Sequence, residues 1–81
     1  MPDGRVDHAE LERRLNEQLK NLPVGSRWDH VASGKQYRVV MLSIREEDLV
    51  MLVTYEDLES RVRWTRTLSE FTNKFKWRFT R

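Results

Sequence analysis

Two neighbouring stretches of this chain carry apolar side chains at almost every position. Gln36–Ile44 holds Tyr37, Val39, Val40, Met41, Leu42 and Ile44, and Leu49–Tyr55 holds Leu49, Val50, Met51, Leu52 and Val53. Between them stands the charged run Arg45-Glu46-Glu47-Asp48. The stretches are short, rich in β-branched residues and divided by polar residues, so they predict two strands of a hairpin. Apolar residues on both faces further predict central strands covered on both sides. A chain of 81 residues buries only about 60–65% of its unfolded surface, enough for one domain with a thin core.

The flanking sequence extends the pattern. Arg27–Val31 reads as a first strand and Ala32-Ser33-Gly34-Lys35 as a turn. Glu56-Asp57-Leu58-Glu59 reads as an exposed loop. Arg61–Thr67 alternates, with Val62 and Trp64 on one face and Arg61, Arg63 and Thr65 on the other. Ser69–Thr72 suits a single helical or 3₁₀ turn. Phe75, Trp77 and Phe79 then alternate with Lys74, Lys76, Arg78 and Thr80 as an edge strand. At the other end, residues 1–6 are expected to be disordered. Asp7 with Glu10 resembles a loose capping box, and Leu11, Leu15, Leu19 and Leu22 form one helical stripe. Asn21 and Pro23 stop that helix, which spans 7–22. The fold class is therefore α+β: an amphipathic helix, then residues 24–81 as a five-stranded antiparallel SH3-like barrel or strongly bent sheet. The leucine stripe packs either on the domain's own sheet or on a second copy of the chain.

The residue inventory argues against several chemistries. With no cysteine, disulfides, thiolate catalysis and the common structural zinc sites are ruled out. His8 and His30 are the two histidines. Asp29 and His30 are strand neighbours pointing to opposite faces, so Asp29 cannot orient His30 toward Ser33 as a triad acid would. The acids at Glu46/Glu47 and Glu56/Asp57/Glu59 fall in predicted loops, where nothing raises a carboxylate pKa for acid catalysis. Gly4, Gly25 and Gly34 make no phosphate-cradling loop. The expectation is a non-enzymatic protein without cofactor or metal. No apolar run approaches the roughly 20 residues of a membrane span, and a cytoplasmic location is expected.

Binding is the class that remains. Residues 1–60 hold eight Lys/Arg and twelve Asp/Glu, whereas residues 61–81 hold seven Lys/Arg and one acid. Such a basic quarter attracts anions, although Lys and Arg on outer strands also guard a sheet against edge-to-edge pairing. Trp28, Tyr37, Tyr55, Trp64 and Trp77 are many large rings for so small a domain. His30, Tyr55, Trp64 and Arg66 are the candidate pocket group, and Arg61, Arg63, Lys76 and Arg78 the candidate electrostatic surround. Arg66 falls in the register of Trp64 and Val62, where a guanidinium needs a partner. That partner is either an acid such as Glu56 or Asp29, or an anionic or planar ligand gripped in bidentate fashion. Nucleic acid is the first expected ligand and a nucleotide-like molecule the second. The alternative is a protein–protein adaptor, dimeric through the leucine stripe.

The order Trp28-x-His30, Gly34-x-x-Tyr37-x-Val39, Val53-Thr54-Tyr55 and Trp64-x-Arg66-x-Leu68-x-x-Phe71 resembles the domain of unknown function 1653 family of small bacterial and phage proteins. Asn73-Lys74-Phe75 is similar to a short segment found in its phage members. The resemblance spans about residues 24–76 and implies a compact β-rich fold, with no activity attached. Two features depart from it: Thr67 stands where the family usually has proline, and the leucine-striped helix is an addition.

Overall fold

The computed structural model describes residues 7–78. The expected disorder of 1–6, and Phe79 and Thr80 of the expected last strand, lie outside them. Helix α1 covers His8–Asn21. Asp7 caps it by accepting from the amides of Ala9 at 3.0 Å and Glu10 at 3.3 Å. The Glu10 side chain grips Arg13 one turn on, so its carboxylate serves the helix flank. Leu22 closes the helix, donating its amide to the Gln18 carbonyl at 2.9 Å.

Five strands follow: β1 (Arg27–His30), β2 (Gln36–Ile44), β3 (Met51–Asp57), β4 (Arg63–Thr67) and β5 (Phe75–Trp77). A second helix, α2 (Leu68–Lys74), links β4 to β5. All pairings are antiparallel, in the order β4-β3-β2-β1-β5. The sheet is not closed: β4 and β5 are its two edges, joined through α2 rather than by a ladder. It is nevertheless curved. Three strand spacings, about 14 Å, separate β3 from β5, yet the rings of Tyr55 and Phe75 lie 4.9 Å apart.

The register sets one concave face. Trp28 and His30 of β1 stand opposite Tyr37 of β2 and Phe75 and Trp77 of β5. Val39 faces Tyr55, which in turn faces Trp64. A bulge between Val39 and Met41 inserts Val40 and shifts the alternation by one, bringing Leu42 and Ile44 onto the face of Val39. This corrects the expectation of strands covered on both sides. The apolar run in β2 reflects a change of phase, and Met41, on the convex side, is 49% exposed.

The core fills this concave face. Phe71, fully buried, drops from α2 onto it. It stacks on Phe75 at 4.3 Å and touches Trp28 and Tyr55, each at 5.2 Å. Thr67 and Glu70 fix the start of α2 with a capping box. Leu22 is buried with the strands, and Leu15 and Leu19 pack against the same core. Most of the leucine stripe is thus used within the chain.

Three hairpin loops share one geometry. In each, the first residue's amide donates to the carbonyl of the sixth (His30 to Lys35, Arg45 to Val50, Asp57 to Val62), each at 2.9 Å. The fifth residue adopts positive φ: Gly34, Leu49 and Arg61. The residue before it, Ser33, Asp48 or Ser60, accepts from the amide of the sixth at 3.3 Å. Leu49 and Val50 therefore belong to a loop rather than to the strand expected from their apolarity.

Candidate functional site

The alternation along the five strands, with the antiparallel register, converges on one pocket on the concave face. It is lined by His30, Tyr37, Tyr55, Trp64, Arg66 and Phe75, one or two residues from each of the five strands, and holds about 220 Å³. It lies toward the open seam between β4 and β5. The four residues proposed as a pocket group, His30, Tyr55, Trp64 and Arg66, all line it. Tyr37 and Phe75 complete the wall. Their pairing with β1, Phe75 opposite His30 and Tyr37 opposite Trp28, was the signal that would have added them.

The polar groups of the pocket are one guanidinium, Arg66, two phenol hydroxyls, Tyr37 and Tyr55, and the His30 ring. Arg66 Nε donates to the Tyr55 hydroxyl oxygen at 2.9 Å. Among the described residues no carboxylate forms an ion pair with Arg66, and neither acid named as its structural partner does so; Glu70, held below the ordinary carboxyl range chiefly by the Thr67 amide and hydroxyl, also feels the Arg66 charge. Glu56 lies on the opposite face, and Asp29 pairs with Arg78 at 3.7 Å. The other two guanidinium nitrogens are not engaged by any described side chain. His30 Nδ1 accepts from the Ser33 amide at 3.3 Å and sits 2.8 Å from Ser33 Oγ. Ser33 Oγ also accepts from the Lys35 amide. The contact with Ser33 secures a turn, and Asp29, pointing to the other face, supplies no orienting acid.

Ring geometry makes the site semi-rigid. Tyr37 meets Tyr55 and Phe75 edge-on, each at 5.4 Å, and His30 lies 5.0 Å from Phe75. Tyr55 is buried, whereas Trp64 is 54% exposed and forms an open lip. Trp77, on the same face, stacks on Trp28 at 5.9 Å.

No protein-family model matches this chain, and no curated protein or solved structure matches it either. The resemblance to the domain of unknown function 1653 family therefore rests on its motif residues alone.

The predicted electrostatic surround does not surround the pocket. Arg63 alternates with Trp64, and Lys76 with Phe75 and Trp77, so their side chains leave from the convex face. Arg78 joins Asp29 there. Arg61, at the loop position of positive φ, reaches Glu56 at 3.4 Å. The acids expected in an exposed loop are also placed differently. Glu56 and Asp57 end β3 and are 5% and 4% exposed. Glu56 collects Arg38 at 2.7 Å, Arg61 at 3.4 Å and Arg63 at 3.5 Å. The Arg38 hydrogen bond outweighs the cost of burial and holds its carboxyl below the ordinary range. Asp57 accepts from Lys35 Nζ at 2.9 Å and from the Glu59 amide at 2.8 Å. The Lys35 bond first, then the Glu59 amide, lowers its pKa from 3.8 to about 2. Among the described residues no three acids or histidines gather as metal ligands would, and no helix is long and apolar enough to cross a membrane.

Proposed function

We propose that this chain is a small-ligand binding module whose concave pocket takes an anionic molecule with a planar group, a nucleotide-like compound being the best fit. The observation that carries this reading is Arg66. It is a half-buried guanidinium set among aromatic rings, held by a single phenol, with its remaining donors hydrogen-bonded to no described carboxylate. Such a group suits a phosphate or carboxylate, while Trp64 offers a face for stacking. The fixed positive charge of Arg66 disfavours a cationic guest that aromatic rings would otherwise attract. At about 220 Å³ the pocket is smaller than the roughly 300–1,000 Å³ of sites that enclose drug-sized ligands. A single ring system fits, with its charged tail at the rim. The strand order, with a short helix between the fourth and fifth strands, supports reading the fold as an SH3-like barrel left open at this seam.

The test is calorimetric titration and thermal shift with a panel of nucleoside monophosphates. Binding that disappears in Arg66→Ala, with the melting temperature of the free protein nearly unchanged, supports the reading. Binding that survives Arg66→Ala, or a variant that loses its fold, assigns Arg66 to structure. Arg66→Lys keeps the charge without the planar fork and should bind at an intermediate level. The adaptor reading is less favoured, because Leu15, Leu19 and Leu22 already face the domain's own core.

A further inference from the structure

The convex face carries a feature that the pocket does not use. One row crosses β4, β3, β2 and β1 and continues to the residue just after β5. The Arg78 amide donates to the Arg27 carbonyl at 2.8 Å, Arg27 pairs with Arg38, Arg38 with Glu56, and Glu56 with Arg63. With strands about 4.8 Å apart, the row is about 19 Å long. Arg61 joins it from the β3–β4 loop and Lys76 flanks it opposite Asp29. Six cations thus share this band with two carboxylates, Glu56 and Asp29, and Glu56 is buried beneath three of the arginines.

The arrangement runs against sheet stability at one point. Arg27 and Arg38 are direct cross-strand partners, and like charges in that position destabilise a sheet. Arg38 is satisfied by Glu56 at 2.7 Å. Arg27 is exposed, with no side-chain partner among the described residues. Edge protection does not account for it, since β1 is an interior strand flanked by β2 and β5.

We propose that this arginine row is a docking surface for the phosphate backbone of double-stranded nucleic acid. A line of guanidinium groups on a convex surface, interrupted only at β3 where Glu56 gathers Arg38, Arg61 and Arg63, suits a line of phosphates. A single strand would be held by stacking on rings, but the described rings of the strands all stand on the concave side. An acidic protein partner would want an aromatic or apolar anchor within the charged patch, and the row has none. The reading is independent of the pocket, which lies on the other side of the sheet.

The test is fluorescence anisotropy of a labelled mixed-sequence duplex with the full chain over a salt series. Binding should weaken with a log–log salt slope of about −2 to −4. Arg27→Glu should lower affinity at least about tenfold at low salt. It places opposite charges across the β1–β2 pair, so the fold is retained. Lys20→Glu, the same charge change on exposed α1, should have a much smaller effect. The proposal is overturned by absence of duplex binding, by equal losses in the two variants, or by equal or tighter binding to a single strand or to poly-glutamate. The thermal shift produced by a nucleoside monophosphate should persist in Arg27→Glu, so failure here and failure of the pocket reading are separable.

Discussion

Phe71 is the residue on which most of the core converges. It is fully buried, and rings from β1, β3 and β5 close on it. Removing its ring costs about 3–5 kcal/mol, a large share of the 5–15 kcal/mol that holds a typical domain. Phe71→Ala should therefore lose its cooperative melting transition in near-ultraviolet circular dichroism. Asp57 makes a different kind of contribution. Its pKa falls from 3.8 to about 2 on folding. Stability from this group is thus fully present above about pH 4 and is lost as pH falls toward 2. Melting temperatures recorded between pH 5 and 2 should decline, and Lys35→Met should flatten part of that decline. If both proteins show the same curve, the Lys35 bond is not what lowers the carboxyl. At this scale the sequence was informative where alternation was regular. Spacing alone put Arg66 on the side of Trp64, whereas His30 and Tyr55 joined them as candidates for their chemistry. Glu56 and Asp57 were misread because acidic residues in series look like a loop, and only their pairing with distant Arg38 and Lys35 makes burial tolerable.

Among the elements, the hairpin loops show most clearly what spacing can and cannot disclose. Ser33-Gly34 advertises its turn through glycine. Asp48-Leu49 and Ser60-Arg61 build the same turn with residues that resist positive φ, and nothing but the polar residue before them gives it away. Left-handed backbone costs about 1–2 kcal/mol for a non-glycine residue. Arg61→Gly should therefore raise stability to chemical denaturation by about 0.5–1 kcal/mol, since Arg61 is itself exposed and the buried Glu56 keeps Arg38 and Arg63 as partners. A destabilised variant would show that the contact with Glu56 outweighs backbone strain. The bulge at Val40 was equally hidden, because inserting one apolar residue among others leaves no mark on composition. Helix α1 was legible in its extent and its cap, but its partner was not, since a leucine stripe fits a neighbouring molecule as well as a sheet. With Leu22 buried, a chain beginning at residue 23 should melt well below the intact protein. A truncated form that keeps its melting temperature would return the stripe to the dimer reading.

The whole molecule is a two-sided sheet with different chemistry on each side. The concave side is aromatic and holds one guanidinium; the convex side is a cationic band. The C-terminal charge excess suggested a single interface, but alternate residues in a strand face opposite ways, and Arg63 and Trp64 cannot serve one surface together. A ligand seated in the pocket touches residues from every strand, so its binding is linked to the stability of the entire fold. At a hundredfold excess over Kd it should stabilise by about 2.7 kcal/mol.

Because β4 and β5 each lack an outer neighbour, the amide lattice has two free margins. Deuterium should enter from those borders inward, leaving β2 and β3 as the last protons to exchange. A guest lodged between the margins, touching Trp64 and Arg66 on one and Phe75 on the other, would slow uptake along both at once.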